Sequence, residues 1–177
     1  LAASSENSPR VLAFEPNPVA FKKLKKNIAV NGLDNIEARN EALGASNSME
    51  RLSVRSTRPS SSSASLGPWL EASAPSDISV SQVSLDDQVR TADLIKIDTE
   101  GWELQVLQGA QRILRTSAPT IICEALHRSA FNEIRAFLSK FGYSVVWVLA
   151  RSERGRPTEE WVGKANYAFF AKLMAEE

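Results

Sequence analysis

The sequence predicts an α/β fold with a parallel sheet. Apolar runs typical of buried strands alternate along the chain with amphipathic helical segments, and this alternation is characteristic of strand–helix–strand units. The run Leu94, Ile95 and Ile97, interrupted by Lys96, predicts a buried strand that leads through a polar loop into a helix. Ligands bind at such carboxyl ends of strands in open sheets.

The composition is that of one ordinary globular domain, which we place at residues 1–177. The chain has 177 residues, 43% hydrophobic and 24% charged, and its net charge is zero. A neutral chain without a membrane-length apolar run or a secretory leader predicts a cytoplasmic protein with no nucleic-acid or membrane partner. One cysteine, Cys123, and one histidine, His127, exclude an intrachain disulfide and a multi-His metal site, and we expect no metal.

The first strand and helix are predicted between residues 11 and 32. The apolar run Val11–Phe14 ends in Glu15. Asn17 is a suitable N-cap and Pro18 suits the first helical position. Apolar residues then recur at helical spacing, namely Phe21, Leu24 and Ile28. Gly32 is expected to end this helix, and a weak strand follows at 36–38.

Residues 45–82 differ from the rest in being rich in serine. We interpret them as an insertion with a short strand near 52–54, a mobile loop anchored by Trp69, and a returning strand at 78–83. Two roles stay open for the insertion, a substrate lid and a solvated excursion.

The second half of the chain alternates helices with strands. A helical stripe of core residues comprises Val106, Leu107, Ala110, Ile113 and Leu114. A buried strand at 120–124 contains Cys123, which we expect to be inert core. An amphipathic helix ends at Gly142, and 151–164 reads as a polar loop. The strands 143–149 and 166–173 have no clear helix between them and are expected to pair antiparallel at one edge.

Four titratable residues lie at or just beyond the carboxyl ends of two predicted strands. Asp98 and Glu100 follow the strand at 94–97, and Gly101 allows the turn into the next helix. Glu124 ends the strand at 120–124, and His127 follows it. All four are candidates for a catalytic base. Other interpretations stay open: Glu100 as a helix cap, Glu124 as a structural hydrogen-bond acceptor, and His127 as a solvated loop residue.

Several short motifs occur in the order and spacing of a known family. They are Phe14-Glu15-Pro16-Asn17-Pro18, Asn31-Gly32, Ala42-Leu43-Gly44, Ser84-Leu85-Asp86-Asp87, Ile95-Lys96-Ile97-Asp98-Thr99-Glu100-Gly101 and Val106-Leu107-Gln108-Gly109-Ala110. Together they resemble FkbM-type methyltransferases, which use S-adenosylmethionine (SAM). The resemblance extends from about residue 11 to residue 170.

The resemblance implies a Rossmann-like class I methyltransferase sandwich, a mostly parallel sheet with an antiparallel C-terminal edge strand. It implies that Glu15 accepts the ribose hydroxyls of SAM, as an ionised carboxylate can do, and that Asp98 lies where methyl group and acceptor meet. The implied cofactor-binding residues are Glu15, Pro16, Asn17, Asn40, Glu41, Ala42 and Asp98.

One part of the family pattern has no counterpart among residues 1–10. The family's first strand and its glycine-rich turn normally lie between the strands that end at Glu15 and Asp98. We therefore expect a gap or an abnormal pairing between strands 11–15 and 94–98, and a chain that is part of a longer polypeptide.

The predicted function is O-methylation of a small-molecule or sugar hydroxyl. SAM is already activated, so alignment and water exclusion dominate, and an oxygen acceptor also needs a base. Two other classes stay open: a non-catalytic or truncated Rossmann-like binding module, and an NAD-binding oxidoreductase that would also use Glu15. The oligomeric state is not predicted.

Overall fold

The structure is a computed structural model that describes residues 9–54, 64–65, 76–149 and 155–171. Some predictions lie wholly or partly outside the described residues: the mobile serine-rich loop with its anchor Trp69, the first part of the polar loop 151–164 and the last two residues of the strand 166–173. Among the described residues, no helix has the length and apolar character needed to cross a membrane.

The first unit is a parallel strand pair joined by a helix. Strand β1 (Val11–Phe14) pairs with β2 (Ile36–Arg39), and helix α1 (Pro18–Val30) connects them. The predicted helix start is confirmed, because the side chain of Asn17 accepts hydrogen bonds from the backbone N–H groups of the first turn. The helix end is confirmed too, since Gly32 follows α1 with φ of 60°.

The two strands predicted in the serine-rich region are confirmed, and they pair within a small sheet. Its strands are β3 (Ala42–Leu43), β4 (Ser48–Val54), β5 (Ala64–Ser65) and β6 (Ser76–Val83), in the order β3-β6-β4-β5. Leu52 and Val80 are buried with Ala42 in a core of their own. The strand predicted near 52–54 therefore begins earlier, at Ser48.

The remaining elements build the main body. They are α2 (Leu85–Gln88), β7 (Leu94–Ile97), α3 (Glu103–Gln108), α4 (Gln111–Thr116), β8 (Thr120–Ala125), α5 (Arg128–Ser139), β9 (Tyr143–Leu149), β10 (Arg156–Pro157) and β11 (Ala165–Ala171). The predicted helical stripe is buried as expected, but two short helices carry it, separated at Gly109 and Ala110.

Two details of the predicted sheet need correction. The largest sheet has the order β10-β9-β11-β8-β7 and is mixed, since only β7 and β8 are parallel in it. The C-terminal strand β11 is not an edge strand, because it lies between β8 and β9. Its consecutive residues Tyr167, Ala168 and Phe169 are all buried, so both of its faces are covered, as in an interior strand.

The two faces of this sheet differ in burial. One face carries Ile95 and Ile97 and belongs to the main core with the apolar residues of α3, α4 and α5. The opposite face carries Leu94, which is 56% exposed, and the exposed Trp147. The prediction that Leu94 is buried is therefore wrong, because it shares a face with the exposed Lys96.

Candidate functional site

The loop after β1 is held in place by its own side chains. Asn17 N donates to Glu15 Oε1 at 2.9 Å. Asn17 Oδ1 accepts from the N–H groups of Val19 at 2.9 Å and Ala20 at 3.4 Å. Glu15 thus lies at the carboxyl end of a strand and directly before a capped helix, in a fixed backbone conformation.

A second loop fixes the first one. Asn40, which follows β2, donates through Nδ2 to the carbonyl oxygens of Glu15 at 2.8 Å and Pro16 at 3.0 Å. The structure therefore brings together four of the predicted cofactor-binding residues. Glu41 is half-buried and adjacent to them in sequence, whereas Ala42 is buried in β3, in the core of the small sheet.

Burial raises the pKa of Glu15. Loss of water around this carboxyl raises its pKa above the ordinary value, and the hydrogen bond from Asn17 N partly opposes the shift. Within the described part of the chain, its second oxygen, Oε2, accepts no hydrogen bond. A ligand with hydroxyl groups could supply the missing donors.

Three predicted acids meet at the carboxyl ends of β7 and β8. Asp98, Glu100 and Glu124 each bring one carboxylate oxygen within 4.8 Å of the others. Lys96 Nζ lies 3.0 Å from Asp98 Oδ2, and Lys164 Nζ lies 3.5 Å from Glu124 Oε2. The spacing would allow the acids to share a proton or a cation, and these two lysines supply positive charge beside them.

Asp98 is the most exposed of the three acids. Its side chain is 53% exposed, whereas that of Glu124 is 17% exposed. The acid cluster does not include His127, which is the N-cap residue of α5 rather than a residue in mid-loop. Cys123 is buried, and burial raises the pKa of its thiol well above the ordinary value, which agrees with an unreactive core residue.

Two residues near the acids were missed by the sequence interpretation. Glu103 is buried, and its Oε1 accepts hydrogen bonds from the loop between β7 and α3. Lys164 reaches Glu124 from the segment before β11. The sequence could have pointed to Glu103, because it lies in the first turn of a helix, where acids are common. No local signal linked Lys164 to Glu124, because the contact depends on the pairing of β8 with β11.

A surface cavity of about 610 Å³ lies elsewhere. It is lined by Asp86, Asp87, Gln88, Val89, Arg90 and Arg112. The guanidinium of Arg112 donates there to the carbonyl oxygens of Asp86, Val89 and Arg90. Three of its five N–H donors are thus used within the protein, and we assign this cavity no ligand.

Comparison with known proteins places the chain in a family. A family model described as the methyltransferase FkbM domain matches residues 1–145. The chain is similar to a solved structure of a methyltransferase FkbM from Methylobacillus flagellatus KT, with a TM-score of 0.62 and 18% identity. That match covers 91% of this chain and 36% of the other, so the chain spans about a third of that relative.

A second similar structure is a precorrin-6y C5,15-methyltransferase from Geobacter metallireducens GS-15. Its TM-score is 0.50 and its identity is 15%, and the match covers 93% of this chain and 68% of that chain. No curated protein sequence matches this chain. Identities this low establish a shared α/β fold alone, whereas the family model extends over most of the sequence. On that evidence, the chain belongs to the FkbM methyltransferase domain family.

Proposed function

We propose that the polypeptide to which this chain belongs transfers a methyl group from SAM to a hydroxyl of a small molecule or sugar. The observation that carries the proposal is the state of Glu15. This half-buried carboxyl has one oxygen fixed by Asn17 N at 2.9 Å. Among the described residues, no donor other than Asn17 N acts on this carboxyl. The hydroxyls of a ribose would replace the water that Glu15 loses on burial.

The acid cluster supplies the acceptor side of the proposal. SAM, when bound, supplies an activated methyl group, so this chain needs only to orient the acceptor and remove a proton. We favour Asp98 Oδ1 as the proton acceptor, because Oδ2 is paired with Lys96 and the side chain is accessible. Glu100, Glu124 and His127 remain candidates to orient the acceptor or to take over the proton.

We further propose that a strand and a glycine-rich turn from elsewhere in the full polypeptide complete the cofactor site between β1 and β7. In the described residues, β1 and β7 belong to different sheets, and each has a ladder partner on one side only. On the sheet face that carries Leu94, the side chains of Leu94 and Trp147 are exposed. An added strand would pair with these edges, and the chain that precedes or follows it would cover Leu94.

Calorimetry on the full polypeptide tests the proposed function. We expect SAM to bind and NAD not to bind. Glu15→Ala should weaken SAM binding about tenfold or more, because hydrogen bonds to a charged group contribute roughly 1.5–3 kcal/mol. The matched control is Glu159→Ala, at an exposed glutamate, which should leave the affinity unchanged.

The same titrations distinguish the alternatives. Binding of NAD without SAM would refute methyl transfer and indicate an oxidoreductase. Binding of neither ligand by the folded full polypeptide would indicate a non-catalytic module. If SAM binds equally well to wild type and Glu15→Ala, the role of Glu15 is refuted even though the cofactor is correct.

A further inference from the structure

One buried carboxylate organises the loop that carries two of the candidate acids. Glu103 is 3% exposed and lies in the first turn of α3. Its Oε1 accepts three hydrogen bonds, from Thr99 N at 3.2 Å, Thr99 Oγ1 at 3.1 Å and Gly101 N at 3.0 Å. All three donors belong to the turn between β7 and α3, so one oxygen closes the turn onto the helix.

The turn needs this support because its backbone is strained. Glu100 has φ of 53°, a left-handed conformation that costs a residue with a Cβ roughly 1–3 kcal/mol. Such a conformation persists only when its surroundings enforce it. The hydrogen bonds to Glu103 come from Thr99 and Gly101, the residues on either side of Glu100.

The far side of the turn has an anchor of its own. Trp102 Nε1 donates to Gln82 Oε1 at 3.1 Å, and Gln82 is buried in β6. The turn is therefore fixed to α3 by Glu103 and to the small sheet by Gln82. With the turn held in this way, Asp98, Glu100 and Glu124 each have one carboxylate oxygen within 4.8 Å of the others.

We propose that Glu103 is a positioning residue that sets the geometry of the acid cluster, acting as a hydrogen-bond acceptor and not as a base. This inference rests on the proposed function, since it assigns Asp98 and Glu100 their place on the acceptor side. It predicts that a neutral acceptor can replace the carboxylate. The amide oxygen of Glu103→Gln keeps an acceptor for the donors of Thr99 and Gly101, whereas Glu103→Ala leaves them without one.

Amide hydrogen exchange on the full polypeptide, followed by NMR, tests the proposal without SAM or an acceptor. In Glu103→Ala we expect the amides of Thr99 and Gly101 to exchange at least about tenfold faster than in wild type. The core amides of Ile121 and Cys123 in β8 should keep their rates. Glu103→Gln and the control Glu159→Ala, an exposed glutamate outside the turn, should match wild type at all four amides.

A milder variant covers the case in which Glu103→Ala fails to fold. Thr99→Val removes only the hydroxyl donor, and it should speed exchange at Thr99 and Gly101 by a smaller factor. Unchanged exchange at these two amides in the folded variants would overturn the proposal. Equal acceleration of the β8 amides would also overturn it, because Glu103 would then serve general stability. A Glu103→Gln that loosens the turn as much as Glu103→Ala would do the same.

The outcomes separate this inference from the proposed function. If wild type fails to bind SAM but shows the expected exchange pattern, the proposed function falls while the control of the turn by Glu103 stands. If SAM binds and the exchange pattern is absent, only the positioning role falls.

Discussion

A methyl group at Gly109 should destabilise the protein through a backbone collision. Gly109 separates α3 from α4, and an added Cβ would lie 1.9 Å from Gly44 O and 3.0 Å from Gly44 C. The φ of Gly109 is −83°, which alanine adopts readily, so the effect of Gly109→Ala is steric and not conformational.

The collision has no easy relief, because both partners are held. Gly109 O accepts from Asp86 N at 2.9 Å, and Gly44 N donates to Val83 O at 3.0 Å. Overpacking of this kind typically costs 1–3 kcal/mol, and two fixed backbones favour the upper part of that range. We expect Gly109→Ala to lower the free energy of unfolding by about 2–3 kcal/mol. For a chain of this size the corresponding fall in Tm is roughly 4–12 °C.

Urea unfolding followed by circular dichroism measures the effect. Gly32→Ala is the control, since φ there is 60° and an added Cβ meets nothing within 4 Å. It should cost only about 1–2 kcal/mol, for a left-handed alanine. A Gly109→Ala variant that is no less stable than Gly32→Ala would show that the two backbones separate freely, and the steric reasoning would be refuted.

Three further predictions concern stability, each measured by urea or thermal unfolding. Asp86→Ala removes the carboxylate that accepts from Arg112 N at 2.7 Å and Ile113 N at 3.0 Å; we expect a loss of about 1–2 kcal/mol, and less in Asp86→Asn, which keeps an acceptor. Tyr143→Phe leaves the buried Pro119 carbonyl without the hydroxyl that donates to it at 2.7 Å, which should cost about 1–3 kcal/mol. Because burial raises the pKa of Tyr143 from 10.0 to about 12, the unfolded state ionises first. Wild type should therefore lose stability between those pH values, and Tyr143→Phe should lose less. The raised pKa of Glu15 gives stability that is complete below its unfolded value of 4.5 and is lost as the pH rises through the folded value. Glu15→Gln should thus gain on wild type as the pH rises above 4.5, and a constant difference would contradict the assignment.

The sequence predicted features that depend on local chemistry. Asn17 as a cap and Gly32 as a helix end follow from the needs of unpaired helix termini, and the structure has both. Strand order depends on distant pairing, and there the interpretation of β11 as an edge was wrong. A signal was available, because the run Tyr167, Ala168, Phe169 has no alternation of polar residues, as expected for a strand covered on both faces.

The candidate site divides in the same way. Glu15, Asp98 and Glu124 were identified from the ends of predicted strands, because the boundary of a strand is visible in the sequence. The burial of Glu103 was not predictable, because a glutamate in a first helical turn is usually solvated and its burial here depends on the closed turn at Thr99 and Gly101.

The position of Glu15 relative to the acid cluster depends on packing near Glu15. The preceding residue, Phe14, packs against the main core, which also contains Ile97, the residue before Asp98. Arg39, at the end of β2, donates to Gln88 at the end of α2. A core side chain and a hydrogen bond thus tie the β1–β2 unit to the body that carries the acids. Because interiors are close-packed, a shift of Phe14 would move Glu15 relative to Asp98, so core packing sets the separation between these two carboxylates.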